Sequence, residues 1–193
     1  MLSSPRDRIF ASVALGILAG DIVSKRIVEA NLTLHQPYEV LGSYVRWTLT
    51  YNTGAAMNMS FGASSRVVFS LLAAVMVVII LRMWRRLPPT STWLAGSLAM
   101  IAAGATGNLI DRLRGTRGVV DFVDVGIGAT RFWTFNVADS GVTVGAVILA
   151  ILTWREPVHE AAPRSVAPSS TPSSPPPDAM STPPSEPGAP PAA

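Results

Sequence analysis

Residues 93–112 read WLAGSLAMIAAGATGNLIDR, and this stretch decides the class of fold. Its first part, residues 93–110, contains no charged side chain. A bilayer core about 30 Å thick requires roughly 20 mostly apolar residues in a helix, so we predict a transmembrane helix near 93–110. The stretch closes on Asn108, Asp111 and Arg112, so one end of this helix carries an amide, a carboxylate and a guanidinium.

Three more apolar stretches of similar length occur, near 9–28, 66–84 and 137–154. The second of them ends in a cluster of aromatic and basic residues that is typical of a membrane interface, and Pro88-Pro89 then forces a turn. The first has the basic start and apolar run of a signal peptide, but no small-x-small cleavage site follows, so we expect it to be retained. We therefore predict an integral membrane, mainly α-helical protein with four transmembrane helices.

The composition excludes several other classes of protein. Hydrophobic residues make up 49% of the 193 residues and charged residues 14%, whereas soluble domains carry roughly 25% charged residues. The chain has no cysteine and two histidines, which argues against disulfides, a thiolate nucleophile and a zinc site, so we expect no metal and no cofactor. The basic residues are spread along the chain rather than grouped, which argues against nucleic-acid binding.

Two regions outside the predicted helices have a distinct composition. The segment from Tyr38 to Tyr51 is rich in Val, Tyr, Trp and Thr around a turn signal at Gly42-Ser43, which predicts a small extramembrane β element near 36–60, between the first two helices. Twelve of the 16 prolines lie at 157–191. Because such a Pro-, Ser- and Ala-rich segment cannot bury a core, we predict a membrane domain at 1–155 and a disordered tail at 156–193.

Five carboxylates lie at helix ends or between helices, and the four-helix arrangement places all of them on one side of the membrane: Asp21, Asp111, Asp121, Asp124 and Asp139. A carboxylate within an apolar bundle costs on the order of 2.5–3.5 kcal/mol, so each one requires a partner or a function. Asp21 and Lys25 have the i, i+4 spacing of a neutralising ion pair. Asn108 and Arg112 share this spacing, and Arg112 is placed to hold Asp111 or another carboxylate.

Two of these carboxylates have the context of a catalytic pair. Asp121 lies between apolar residues in Val119–Phe122, and Asp139 lies at the start of the fourth helix, where the helix dipole alone would also stabilise it. Two carboxylates close together in a partly dry site cannot both ionise easily, so one stays protonated while the other takes a proton from water, as in aspartic-type hydrolysis. Asp124 is the alternative to Asp121, and the residues alone do not separate the two.

Four blocks of sequence, taken in order and with their spacing, resemble the lipoprotein signal peptidase family, the type II signal peptidases of bacteria. The match extends over about 20–155, and Met57 stands where the family usually has Phe. The blocks are Asp21-x-x-Ser24-Lys25, Asn52-Thr53-Gly54-Ala55-Ala56, Gly107-Asn108-Leu109-Ile110-Asp111-Arg112 with Val119-Val120-Asp121-Phe122, and Phe135-Asn136-Val137-Ala138-Asp139-Ser140.

The resemblance implies an aspartyl endopeptidase of the bacterial inner membrane that removes the signal peptide from prolipoproteins, cutting before a diacylglyceryl-modified cysteine. It implies that Asp121 and Asp139 are the catalytic pair, and that the partners are prolipoproteins and membrane lipids. We expect a monomer, because Gly16-x-x-x-Gly20 and Gly141-x-x-x-Gly145 are typical of close helix packing within one bundle. The residues that it implies as substrate-binding or supporting groups are Asp21, Lys25, Asn52, Gly54, Asn108, Arg112 and Asn136.

The sequence also bears on the orientation of the chain in the membrane and on two alternative functions. Arg82, Arg85 and Arg86 crowd one short connection, which favours cytoplasmic termini and an active site towards the outer face. A small proton- or ion-coupled transporter is an alternative, because intramembrane carboxylates also build proton relays, although here they cluster at one rim. A non-catalytic scaffold that presents the tail to a partner is the other alternative.

Overall fold

The computed structural model describes residues 4–53, 64–115 and 117–155, and within them the chain forms four helices and four strands. The mainly helical fold with four helices is thereby confirmed. Gly54, the end of the predicted β element and the tail at 156–193 lie outside the described residues. The elements in chain order are α1 Pro5–Asn31, β1 Pro37–Leu41, β2 Val45–Asn52, α2 Ser65–Arg86, α3 Thr92–Arg114, β3 Val119–Ile127, β4 Thr130–Arg131 and α4 Val137–Arg155.

Three of the helices are long and apolar enough to cross a membrane: α2, α3 and α4. In the apolar part of α2 only 6% of the residues are buried, so this helix presents its side chains outward, as expected for contact with lipid. Helix α1 is longer, but Asp21, Lys25 and Arg26 interrupt its apolar run, and it is not among the three.

Helix α3 is the centre of the bundle, because it packs against each of the other three helices and more than half of its apolar part is buried. Small residues along it, including Ala95, Ala99 and Ala103, allow these close approaches. At Gly104 the approach is closest, since a Cβ there would collide with the backbone oxygen of Ala138 in α4. The predicted charge-free helix near 93–110 is therefore the helix around which the others are arranged.

The β element is larger than the sequence indicated. The strands form one antiparallel sheet in the order β1-β2-β3-β4, so half of the strands come from the connection between α3 and α4 rather than from the first connection. The predicted β element between the first two helices is present as β1 and β2, whereas β3 and β4, between α3 and α4, were not predicted. The start of β3 is buried on both faces, which hides the alternation of polar and apolar residues that identifies a strand.

Candidate active site

The sheet brings the segment before α4 against β3. The backbone N–H of Val123 donates to the carbonyl oxygen of Phe135 at 2.8 Å, and the N–H of Phe135 donates back to Val123 at 3.1 Å. This antiparallel bridge fixes the last residue before the helix cap beside β3. Asp121 on β3 and Asp139 in the first turn of α4 are consequently brought near each other, so that the charge of Asp139 acts on Asp121.

Asn136 joins the two aspartates. It is fully buried, and its Nδ2 donates to Oδ1 of Asp121 at 2.7 Å. Its Oδ1 accepts the backbone N–H of Asp139 at 2.9 Å, while Oδ2 of Asp139 accepts the N–H of Asn136 at 3.3 Å. These reciprocal bonds form a capping box at the start of α4. The side-chain amide of Asn136 therefore caps α4 and also holds the carboxylate of Asp121 on β3.

Asn108 supplies the second amide, and a lysine fixes its orientation. Lys25 Nζ donates to Oδ1 of Asn108 at 3.1 Å. An ammonium can only donate, so the amide oxygen must face it and the amide nitrogen must face away. Asn108 Nδ2 then donates to Oδ1 of Asp139 at 2.7 Å. The prediction that this amide donates hydrogen bonds at the end of α3 is confirmed.

Lys25 is the cation of a buried cluster with two carboxylates. Its Nζ lies 2.8 Å from Oδ2 of Asp21 and 2.7 Å from Oδ2 of Asp111. The predicted Asp21–Lys25 ion pair is thus present, and Asp21 Oδ1 also accepts the N–H of Ala138 at 2.9 Å, at the start of α4. Asp111 was not assigned to the site from the sequence. Its position three residues after Asn108, on the same face of α3, was the signal that could have revealed it.

Gly107 allows this cluster to form. A Cβ at residue 107 would lie 2.5 Å from Oδ2 of Asp21 and 3.2 Å from its Cγ. Any larger residue at this point of α3 would push the Asp21 carboxylate away from Lys25. The glycine is required by the close approach of α1 to α3, and not by an unusual backbone angle.

Asp121 is 3% exposed, and this burial raises its pKa to about 7, with the negative charge of Asp139 acting in the same direction. Hydrogen bonds from the side chains of Asn52 and Asn136 oppose the rise in pKa, because they stabilise the ionised carboxylate. Asp121 thereby combines the burial and the like-charged neighbour that favour a protonated carboxyl near neutral pH.

Asp124 is held away from this cluster. Residues three apart on a strand point to opposite faces of the sheet, so Asp124 and Asp121 face in opposite directions. Oδ1 of Asp124 lies 2.8 Å from Nε of Arg131, and its Oδ2 accepts a hydrogen bond from Oγ1 of Thr48 at 3.1 Å. Asp124 therefore has its partners within the sheet, whereas Asp121 lies near Asp139.

Arg112 lies beside the cluster without joining it. Among the described residues, no carboxylate comes within 4 Å of its guanidinium. The prediction that Arg112 holds Asp111 was therefore wrong. Lys25 holds Asp111 instead. Its NH1 donates to the backbone oxygen of Asn108 at 3.1 Å, and the guanidinium lies 5.8 Å from the ring centroid of Phe69. This arrangement leaves the buried Nε without a partner among the described residues.

An apolar cleft of about 320 Å³ opens on Asp139 between α2, α3 and α4. Its walls carry Leu72 and Met76 from α2, Ile101 from α3 and Val142 from α4, and its polar end carries Asn108, Arg112 and Asp139. An extended or helical apolar segment in this cleft would meet the carboxylate only at one end. This geometry fits hydrolysis of a peptide bond at the end of an apolar stretch.

Comparisons with known proteins identify the family of the chain. The sequence profile of signal peptidase (SPase) II matches residues 13–155. Lipoprotein signal peptidases of Pseudomonas putida and Mycobacterium avium are 39% and 43% identical to the chain, each over 77% of it, and the matches cover 91% and 80% of those relatives. A solved bacterial membrane enzyme superposes with a TM-score of 0.68 at 26% identity, over 77% of this chain and 94% of that structure.

These matches span the helices and the strands that carry the cluster, and they favour a peptidase over the transporter and scaffold alternatives. The resemblance seen in the four blocks of sequence is confirmed. The chain belongs to the signal peptidase II family of bacterial membrane peptidases.

Proposed function

We propose that this chain removes signal peptides from prolipoproteins with a pair of aspartates, Asp121 and Asp139, that activate water before the lipid-modified cysteine. The observation that carries the proposal is that Asn136 holds both aspartates and that one of them, Asp139, lies at the polar end of an apolar cleft. Among the described residues, Asp139 is the only carboxylate that lines this cleft.

The two aspartates have different surroundings and so take different roles. Both oxygens of Asp139 accept hydrogen bonds, from Asn108 Nδ2 and from the backbone N–H of Asn136, and Asp139 lines the cleft. Asp121 is more deeply buried, and its pKa is raised to about 7. We therefore assign the role of acid to Asp121 and the role of base to Asp139.

The reaction follows from this assignment. Asp139 takes a proton from water, and the water oxygen bonds to the carbonyl carbon of the scissile peptide while protonated Asp121 donates a hydrogen bond to the carbonyl oxygen. The Arg112 guanidinium, which lines the same cleft, stabilises the developing negative charge on that oxygen. Transfer of a proton to the leaving nitrogen then breaks the C–N bond and yields a carboxylic acid and an amine.

The cleft accounts for the kind of substrate. A signal peptide has an apolar segment, and the apolar side chains between α2, α3 and α4 would contact that segment while its end reaches Asp139. The diacylglyceryl group on the following cysteine stays in the surrounding lipid.

We further propose that α1 is a fourth span. Its 27 residues are enough for roughly 40 Å of helix, and the side chains of Asp21 and Lys25 are 1% and 4% exposed and paired with each other. Their charges are thus hidden inside the bundle and do not face lipid. Four spans place both ends of the membrane domain on one side.

The orientation follows from the basic residues at the end of the bundle away from the aspartates. The N–H of Arg6 in α1 donates to the carbonyl oxygen of Pro89 in the α2–α3 turn, so the start of α1 and the end of α2 lie together. Arg82, Arg85 and Arg86 occupy this end of α2. The positive-inside rule then favours cytoplasmic termini and an active site at the outer face of the inner membrane.

Cleavage of a diacylglyceryl-modified prolipoprotein by the purified chain in detergent tests the proposal. We expect Asp121→Asn and Asp139→Asn to abolish release of the signal peptide, with the parent unaffected by a chelator. Asp124→Asn is the matched control, because it makes the same chemical change on the same strand but away from the cleft, and it should retain cleavage. If either dyad variant cuts at the rate of the parent, the mechanism is wrong.

A further inference from the structure

Two cavities of different polarity follow one another along α1, and we refer to them together as the groove. The first, near the middle of the helices, is apolar, has a volume of about 330 Å³ and is lined by Leu15 and Leu18 of α1, Val77 of α2, and Ala103 and Thr106 of α3. The second, a polar pocket of about 180 Å³, begins one helical turn further along α1, at Ile22, towards the end of the bundle that carries Asp121 and Asp139.

The two parts share one face of α1. Leu15, Leu18, Ile22, Arg26 and Glu29 follow the i, i+3, i+7, i+11, i+14 pattern of a single helical stripe, so the apolar and polar parts lie one above the other. From Leu15 to Arg26 the helix rises roughly 16 Å, which is within the length of an acyl chain held parallel to the helices. Leu15 is 70% exposed, so the apolar part opens to the surroundings of the bundle.

The polar pocket carries more positive than negative charge. Its cations are Lys25, Arg26, Arg114 and Arg117, and its carboxylates are Glu29 and Asp111. Asp111 is taken by Lys25 at 2.7 Å, and Glu29 is shared at 3.4 Å between Arg26 and Arg117. Within the described part of the chain, Arg114 has no carboxylate within 4 Å. The lining therefore retains an excess of positive charge, and the Arg114 guanidinium is available to an anion.

Arginine matches phosphate better than any other side chain does, since its planar fork donates two parallel hydrogen bonds. Arg117 is held in place for this role, because its NH1 lies 2.7 Å from the hydroxyl of Tyr51 and its guanidinium stacks 4.5 Å from the centre of that ring. The pocket thus presents at least one prepositioned guanidinium at the end of an apolar groove.

We infer that this groove binds one anionic phospholipid, with the phosphodiester in the pocket of Arg26, Arg114 and Arg117 and an acyl chain along Leu15 and Leu18. The order of the two parts carries the assignment to a lipid: a free phosphate would use the pocket alone, whereas the groove beneath it is apolar and open to the bilayer. Lys25 and Asp111 form the wall between this pocket and the catalytic cluster.

Native mass spectrometry of the full chain in a neutral detergent tests the inference, and it counts bound lipids without depending on the cleavage mechanism. The delipidated chain is titrated with palmitoyl-oleoyl phosphatidylglycerol, with the zwitterionic phosphatidylcholine of the same chains, and with inorganic phosphate. We expect one phosphatidylglycerol to be retained in preference to phosphatidylcholine, and inorganic phosphate to leave it in place. Equal retention of the two lipids, or displacement by phosphate at the concentration of the lipid, would overturn the inference.

Variants locate the site. Replacement of each arginine by glutamine should weaken retention of phosphatidylglycerol about fivefold. The single variant Arg114→Gln and the double variant Arg26→Gln/Arg114→Gln test this. The double variant Arg82→Gln/Arg85→Gln is the matched control, because it removes two exposed arginines from the opposite end of the bundle and should retain the lipid. Unchanged cleavage of a prolipoprotein by Arg114→Gln shows that the variant is folded. Retention that is equal in all of these variants would place the lipid elsewhere.

Discussion

Nδ2 of Asn136 lies 2.7 Å from Oδ1 of Asp121, and this hydrogen bond ties the first residue before α4 to the middle of the sheet. Asn136 is at once the cap of the helix that carries Asp139 and the donor that holds Asp121. One amide therefore sets the distance between the two proposed catalytic carboxylates, and it makes the position of each depend on the other.

Replacement of Asn136 separates its two functions. Asn136→Ala should lower stability by about 1 kcal/mol through loss of the cap and should reduce cleavage at least a hundredfold, because Asp121 loses its donor. Asn136→Ser restores a capping oxygen but no amide nitrogen, so it should recover the thermal unfolding temperature without recovering cleavage. A serine variant as active as the parent would show that only the cap matters.

The pKa of Asp121, raised to about 7, predicts how cleavage depends on pH. If protonated Asp121 is the acid, kcat/KM falls as the pH rises through about 7. Asn52 stabilises the ionised form of Asp121, so Asn52→Ala should raise the pKa further and move the alkaline limb of the profile to higher pH. A limb that moves to lower pH in this variant, or does not move, contradicts the assignment.

The same raised pKa predicts a gain in stability from an inactivating substitution. The folded protein holds a proton on Asp121 up to about pH 7, whereas the unfolded chain releases it near the ordinary value of 3.8. Stability from this group is therefore complete below about pH 4 and is lost as the pH rises through about 7. Asp121→Asn should unfold at a higher temperature than the parent at pH 8, and the difference should shrink towards pH 5. No difference at pH 8 would mean that Asp121 ionises freely in the folded protein.

The buried cation at Lys25 should be costly to remove alone. Lys25→Met leaves Asp21 and Asp111 without their shared partner, and breaking a buried ion pair in this way costs about 3–5 kcal/mol. It also frees the Asn108 amide to turn, so cleavage should fall. The double variant Lys25→Met/Asp21→Asn removes one of the unpaired charges and should unfold at a higher temperature than Lys25→Met. If the double variant loses as much stability as Lys25→Met and Asp21→Asn lose together, the two side chains are not coupled.

The close approach at Gly107 predicts a steric effect with a matched control. Gly107→Ala places a Cβ 2.5 Å from Asp21 Oδ2, so it should destabilise the protein by about 1–3 kcal/mol and impair cleavage. Gly16→Ala makes the same change on α1 at a point with no atom within 4 Å, so it should leave cleavage unchanged and should not lower the unfolding temperature. Equal effects of the two substitutions would show that helix propensity, and not contact with Asp21, is measured.

Local sequence determined the helices and one ion pair of this protein. Long apolar runs ended by charges or prolines suffice to place four helices, because the length of such a run is itself the requirement for crossing a bilayer. The Asp21–Lys25 pair is equally local, since the i, i+4 spacing on a helix brings the two side chains together whatever else the chain does. The types of residue in the candidate site were predictable in the same way.

Tertiary structure decided which of those residues meet. Asp121 and Asp124 are three residues apart and chemically identical, and only the pairing of β3 with β2 and with Phe135 turns one towards Asp139 and the other towards Arg131. Lys25 binds Asp111, 86 residues away, and Arg112 does not, because α1 packs closely against α3 at Gly107. Contacts between distant segments depend on register and packing distance, which neither the spacing nor the composition of a segment encodes by itself.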